Sequence, residues 1–257
     1  MSAPIIEFRQ VCKSFNRIPI LAGLDVAIQP GETVTIIGGS GIGKSVTLKL
    51  IVGLLKPEAG QILIEGEDIV PLEEDQLVRI RKKIGMVFQG SALFDSLSVA
   101  ENIAYPLREH TAMSERKIRE RIRETLHLVG LEGAEDKEPA ELSGGMRKRV
   151  ALARAIALTP RIILYDEPTT GLDPANTEKI NELIVDMNRK LSVTSVVVTH
   201  DMRSAFKISD RIGLLDEGKI VAIGTPGEIR HADLPLVRQF VNGAMAQEKL
   251  SAISGQL

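Results

Sequence analysis

Residues Gly38-Gly39-Ser40-Gly41-Ile42-Gly43-Lys44-Ser45 satisfy the pattern G-x-x-x-x-G-K-[ST] at every fixed position, and no other stretch narrows the possible folds as far. The glycines allow successive backbone N–H groups to turn inward around an oxyanion with no Cβ in the way. A loop that opens a helix also presents the positive end of the helix dipole to that anion. Lys44 is placed to reach the β- and γ-phosphates, and the Ser45 hydroxyl to ligate Mg²⁺. A Gly-rich turn beside a lysine is the plain alternative. The flanks argue against it: Thr33-Val34-Thr35-Ile36-Ile37 reads as a buried strand, and Val46 to Leu55 as a helix stopped at Lys56-Pro57. Strand, glycine loop and helix in that order are the setting a phosphate loop requires.

Composition removes several other functions. The chain has 257 residues, of which 44% are hydrophobic and only 3% aromatic, so its core is mostly aliphatic. A net charge of −2 gives no electrostatic footprint for nucleic acid. A single cysteine, Cys12, excludes an internal disulfide framework and a multi-cysteine metal site, and its alternating context reads as a packed or edge-strand residue. No apolar run approaches the roughly 18 residues that span a bilayer. The N-terminus lacks the basic and hydrophobic regions of a signal peptide. The expectation is a cytoplasmic, soluble chain that reaches a membrane only through a partner.

Along the chain, strands are expected at Ile5–Val11, Ile18–Leu21, Leu24–Ile28 (broken from its predecessor at Gly23), Thr33–Ile37, Gln61–Glu65 and Ile84–Phe88. Glu73–Lys82 reads as a helix ending in a solvated basic group, Arg79, Arg81, Lys82 and Lys83. From Ser91 to Thr159 the strand signal disappears. Ser114 is a candidate cap for a helix with Ile118, Ile122, Leu126 and Val129 on one face and mixed Arg and Glu on the other, which reads as a solvent face. A further helix runs from about Gly144 to Leu158. Strands return at Arg161–Tyr165, Ser195–Thr199 and Arg211–Leu215, with a helix from Pro174 to Lys190 capped by Asp173 between the first two. Asp216-Glu217-Gly218-Lys219 is a hairpin turn into Ile220–Ile223, and Leu234–Met245 is one more candidate helix. Strands alternating with helices imply an α/β fold with a mostly parallel sheet covered on both faces and a helical block inserted in it.

Two further constellations carry chemistry. Ile162-Ile163-Leu164-Tyr165-Asp166-Glu167 delivers two carboxylates at the end of an apolar strand. Asp166 suits a Mg²⁺ shell, and Glu167 an attacking water. Such an ending is common, and it gains meaning from the phosphate loop upstream. Ser143-Gly144-Gly145 opens a helix and is a second anion-binding helix start. One site does not need two such cradles, so the economical reading assigns the second to a neighbouring copy's nucleotide.

With these elements in order, the chain resembles the ATP-binding subunits of ABC transporters over nearly its whole length. The resemblance implies a P-loop NTPase (RecA-like) core, an N-terminal antiparallel β-subdomain and a helical subdomain. Core and β-subdomain would occupy about residues 1–90 and 160–232, the helical subdomain about 91–159, and the ATPase domain as a whole 1–245, followed by a tail at 246–257. ATP and Mg²⁺ are the implied ligands. Phe15 stands where the family stacks an aromatic on adenine. Gly38, Gly39, Ser40, Gly41, Ile42, Gly43, Lys44, Ser45 and Val46 form the phosphate cradle. Gln89 is the Q-loop glutamine, touching Mg²⁺ or water. Ser143, Gly144 and Gly145 are the signature that meets the γ-phosphate across a dimer. Ser45, Gln89 and Asp166 fall at the metal, Asp173 in the D-loop, and Glu167 and His200 are the catalytic carboxylate and switch histidine. Gly39, Val46 and Met146 replace the more frequent Pro, Thr and Gln of relatives, and none removes a needed donor. His110, His127 and His231 have no such frame and read as surface residues.

Within the family, the segments Phe88–Asp95, Ala104–His110 and Val237–Gly243 are similar to the ATPases of MCE-linked lipid transporters, including those that maintain lipid asymmetry in Gram-negative envelopes. That branch implies a second copy of the chain, an integral-membrane permease, an MCE-domain protein, phospholipid cargo and a position on the inner face of the cell membrane. Two alternatives stand beside it. One is a polar-solute importer ATPase, against which the Tyr105–His110 and Gln239–Gly243 segments argue. The other is a soluble ABC ATPase without a permease, which usually carries coiled-coil or zinc insertions or a second cassette that this chain lacks.

Overall fold

A computed structural model of the chain describes residues 3–233 together with 235, 237, 238 and 240. The elements in order are β1 (Ile6–Phe15), β2 (Ile18–Ile28), β3 (Thr33–Ile37), α1 (Lys44–Ile51), β4 (Ala59–Ile64), β5 (Glu67–Asp68), α2 (Glu74–Arg81), β6 (Ile84–Val87), α3 (Val99–His110), α4 (Glu115–Leu128), α5 (Gly144–Ile156), β7 (Ile162–Asp166), α6 (Pro174–Leu191), β8 (Thr194–Thr199), α7 (Met202–Ile208), β9 (Arg211–Asp216), β10 (Lys219–Gly224) and α8 (Pro226–His231). They form a six-stranded sheet in the order β10-β9-β3-β8-β7-β6 and a four-stranded sheet in the order β2-β1-β4-β5. In the larger sheet β9, β3, β8, β7 and β6 run parallel, and β10 pairs antiparallel with β9. The smaller sheet is antiparallel. This is the P-loop α/β architecture the sequence implies.

The central strands are apolar throughout because both faces are covered. Alternation along each strand sends Ile162 and Leu164 of β7 and Val196 and Val198 of β8 into one core, shared with α1 and the antiparallel sheet. Ile163, Tyr165 and Val197 point the other way, into a core shared with α3, α4, α5 and α6. The same two-residue period that defines a strand thus glues two layers to one sheet.

Several boundaries differ from the sequence expectation. β2 is one strand rather than two: Gly23 (φ +83°) sits where the β1–β2 register shifts, so it makes a bulge and not a break. α1 ends at Ile51, well before Pro57, because Gly53 adopts a left-handed φ of +65° and Leu54 N–H turns back to Lys49 O. α3 begins with a capping box, Ser98 to Glu101 N–H and Glu101 to Ser98 N–H, a signature the sequence carries. Ser114 occupies the N-cap of α4, but its side chain accepts no capping bond. The expected helix at Leu234–Met245 falls largely outside the described residues.

Two charged stretches are more than solvated faces. Arg79 pairs with Glu67, and Arg81 donates to Val52 O at 2.9 Å, so the end of α2 is tied to the β-strands and to the end of α1. Arg121 of α4 donates to Ile156 O at 2.8 Å and Ala157 O at 2.9 Å at the end of α5, where Ile156 O also accepts from Thr159 N–H at 3.0 Å.

Candidate functional site

The strand order decides which residues can meet. β3, β8, β7 and β6 lie side by side and parallel, so the residues just beyond their carboxyl ends share one edge of the sheet. Gly38 follows β3, Asp166 ends β7 with Glu167 next, His200 follows β8 and Gln89 follows β6. These are far apart in sequence and converge because parallel strands place like ends together. A cavity of about 400 Å³ opens there, and its walls include Phe15, Lys44, Ser45, Gln89, Glu167 and His200. Ser40, Gly41, Gly43 and Val46 also line it. Gly38, Gly39 and Ile42 complete the loop, with Ile42 packed against the core beneath.

The loop has little freedom for other residues. Gly43 caps α1 with φ +107°, and a Cβ there would stand 2.6 Å from Ile20 Cγ2. A Cβ at Gly38 would stand 2.6 Å from Leu215 O. Lys44 is buried, its ammonium donating to Gly38 O at 2.9 Å and Gly39 O at 2.8 Å and standing 3.8 Å from Glu167 Oε1. Burial holds its pKa below the usual lysine range, opposed by the charges of Glu167 and Asp166.

The Ser45 hydroxyl donates to Asp166 Oδ1 at 2.8 Å, joining the start of α1 to the end of β7. Serine hydroxyl, carboxylate and the nearby Gln89 amide are oxygen donors, which suit a hard divalent cation. Among the described residues no group of three His, Cys, Asp or Glu could hold a metal by itself.

Glu167 is held on every side. Its φ is +46°, a left-handed conformation costing about 1–2 kcal/mol for a residue with a Cβ. The turn is pinned by Glu167 N–H to Val198 O at 2.9 Å. Carboxylate Oε2 accepts from Thr199 Oγ1 at 3.1 Å and Thr170 Oγ1 at 3.2 Å, and lies 2.9 Å from His200 Nδ1. His200 itself sits between the end of β8 and Asp201, which caps α7 through Arg203 N–H. Left-handed strain on a residue with a Cβ persists only where its surroundings over-determine it, as these bonds do at Glu167.

The remaining expected residues lie elsewhere. Ser143 caps α5, its hydroxyl accepting from Met146 N–H at 3.3 Å. Asp173 caps α6, accepting from Asn176 N–H at 2.9 Å, and those bonds hold its carboxyl below the usual aspartate range. Gly144 and Gly145 open α5 against α6: a Cβ on Gly145 would stand 2.8 Å from Asn176 Oδ1. Ser143, Gly144, Gly145 and Asp173 therefore cluster with one another and do not line the Lys44 cavity. Phe15 ends β1 at the cavity's rim, 43% exposed, with the Lys13 ammonium 5.4 Å from its ring centroid.

Three residues with no sequence assignment join the site: Thr170, Thr199 and Lys148. Lys148 was visible as the cation on the buried α5 stripe Gly145, Lys148, Leu152. The threonines gave no signal beyond lying near the motif ends. His127 is exposed beside Glu132, and His231 bonds Gly227 O, as surface residues do.

Comparison with known proteins gives a consistent picture. The ABC transporter family model matches residues 21–170. The "Probable ribonucleotide transport ATP-binding protein mkl" of Mycobacterium leprae is 44% identical, covering 95% of this chain and 72% of that protein. The "Intermembrane phospholipid transport system ATP-binding protein MlaF" of Haemophilus influenzae is 42% identical over 95% of this chain and 92% of its own length. A solved dimeric ATP-binding cassette in a post-hydrolysis state with ADP and Pi superposes with a TM-score of 0.80 at 38% identity, covering 86% of this chain and 98% of that one.

Proposed function

The chain belongs to the ABC transporter family of ATPases, and from that premise we propose that it drives a membrane transporter moving phospholipid in the cell envelope. The observation that carries the motor reading is the half-built site. Lys44, Ser45, Glu167 and His200 line one cavity, with Asp166 bonded to Ser45 beside it, while Ser143–Gly145 stand outside it. A second copy placed face to face would bring its Ser143–Gly145 helix start to the phosphates bound here. Two such composite sites would close on two ATP molecules and reopen after hydrolysis.

In that reading the loop N–H groups and Lys44 hold the β- and γ-phosphates, and Phe15 stacks on the base. Ser45, Asp166 and Gln89 would hold Mg²⁺, which supplies charge neutralisation on the phosphate oxygens. The Glu167 carboxylate accepts a proton from the attacking water through Oε1, the oxygen on the Lys44 side, as the water oxygen bonds to γ-phosphorus, and ADP leaves in line. His200, fixed 2.9 Å from Oε2 of the same carboxylate, orients it and meets the γ-phosphate.

No helix of the described residues is long and apolar enough to cross a membrane. Attachment is therefore assigned to a groove of about 370 Å³ beside the Q-loop, lined by Phe88, Ala92, Phe94, Tyr105 and Arg154 among others. Phe94 and Tyr105 pack with centroids 4.9 Å apart and ring planes inclined by 48° while remaining 43% and 46% exposed. An unpartnered aromatic pair next to Gln89 suits a permease's cytoplasmic helix.

The two relatives' names differ on cargo, and cargo does not touch this subunit. The phospholipid reading rests on the Phe88–Asp95 and Ala104–His110 resemblance and on the MlaF relative's match over nearly its full length. Affinity purification from membranes tests it. Recovery of an integral-membrane permease with an MCE-domain protein and phospholipid is expected. Recovery of a permease with a periplasmic binding protein would favour polar-solute import, and recovery of no membrane protein would overturn the transporter reading.

A further inference from the structure

Lys148 is 6% exposed on the inward face of α5 and reaches two main-chain carbonyls on different loops. Its ammonium donates to Gln89 O, and to Glu167 O at 3.4 Å. Glu167 is the residue whose left-handed turn is already fixed through its N–H to Val198 O. Lys148 therefore holds the other side of the same strained residue, and links it to the Q-loop. Six residues further along α5, Arg154 donates to Ser91 O at 3.0 Å and Ala92 O at 2.6 Å, where both residues have positive φ. One helix, capped by signature Ser143, thus carries two cations that grip the main chain of the Q-loop.

We propose that Lys148 is a positioning residue that ties the signature helix to the Q-loop and to the catalytic turn, so that Glu167 is aimed by the movement that brings Ser143–Gly145 onto a partner's nucleotide. The inference rests on the reading of Glu167 as the carboxylate that activates water. Glu167 O also accepts from Thr170 N–H at 3.3 Å, so loss of Lys148 leaves the turn intact but unties it, and the aim of Glu167, from α5 and from Gln89 O. Nucleotide affinity, which depends on the loop and Lys44, is left alone.

The test is a double-mutant cycle on the full chain, with nucleotide affinity measured separately using a fluorescent ATP analogue. Lys148→Met is expected to lower kcat at least about tenfold, with KM and analogue Kd within about twofold. Lys148→Arg, which keeps a charged donor, is expected to restore most of the rate. In single-turnover measurements on the Glu167→Gln form, adding Lys148→Met is expected to change the residual rate less than about twofold, because the carboxylate being aimed is already gone. Equal losses in both backgrounds, or a Lys148→Met enzyme at wild-type kcat, would overturn the inference. If Lys148→Met is not recovered folded, Lys148→Ala, which also lacks a donor, carries the same cycle, and the same outcomes decide. A Glu167→Gln protein that turns over at the wild-type rate would instead sink the site assignment itself.

Discussion

Replacing Glu167 by Gln separates chemistry from folding, and the structure sets both magnitudes. The amide keeps the size of the carboxylate and can present its oxygen to Thr170, Thr199 and His200, which donate to Oε2 now. The left-handed strain at φ +46° is the same for either residue. What is lost is charge. Lys44 Nζ and Glu167 Oε1 are 3.8 Å apart with both side chains buried, which at an effective dielectric of 20 is an attraction of about 4 kcal/mol. Removing the carboxylate also removes its own desolvation penalty of several kcal/mol, and Lys44 keeps the charge of Asp166, so it is not left an uncompensated buried cation and the two changes largely offset. Lys44 keeps its bonds to Gly38 O and Gly39 O. Net destabilisation is expected within about 1 kcal/mol, a Tm change of about 2–4 °C for a chain of this size. Loss of a general base costs about 10²- to 10⁴-fold in rate, or about 3–5.5 kcal/mol in barrier. The assay is steady-state phosphate release with parallel melting curves and ATP-analogue binding. The expected result is nearly wild-type Tm and affinity with turnover down at least a hundredfold, in the range just given. Turnover within tenfold of wild type would refute the role of Glu167, and a Tm loss beyond about 10 °C would show the residue to be a structural support.

Lys44→Ala removes the cation at the phosphates and is expected to weaken binding of a fluorescent ATP analogue at least about tenfold, by the worth of a charge-assisted hydrogen bond, whereas unchanged affinity would contradict its assignment. Composite sites predict complementation: Lys44→Ala and Ser143→Arg chains, each inactive alone, should regain part of their activity when mixed, because one of the two sites in a heterodimer is intact. No recovery on mixing would argue against a shared site. Asp173 is held below the usual aspartate range chiefly by the Asn176 N–H, so its stabilising contribution is complete above the unfolded-state pKa and is lost as pH falls through the folded one. Asp173→Asn should therefore flatten the decline of Tm between about pH 5 and pH 3, and an unchanged slope would show that the cap does not contribute there.

The sequence by itself determined the local chemistry of this protein. The phosphate loop was legible because its glycines are required by backbone geometry: φ +107° at Gly43 and the close approach of Leu215 O to Gly38 leave no room for a side chain. The central strands were legible because burial on both faces demands unbroken apolar runs, and the Asp173-Pro174 start of α6 because a cap is a local bond. The grouping of Gln89, Glu167 and His200 came from the resemblance to ABC ATPases rather than from the residues alone. Only the tertiary structure decided how they are held. Whether Gly23 breaks a strand or bulges it depends on the partner strand, and α1 ends at Ile51 rather than at Leu55 through a turn at Gly53 that no periodicity reveals. Thr199 reaches Glu167 across 32 residues and Lys148 across 19, whereas Thr170 stands three residues along the same turn. The phosphate loop is a property of eight consecutive residues. The site around it depends on parallel strands β3, β8, β7 and β6 ending at one edge, and long-range adjacency of that kind is set by packing rather than by local sequence.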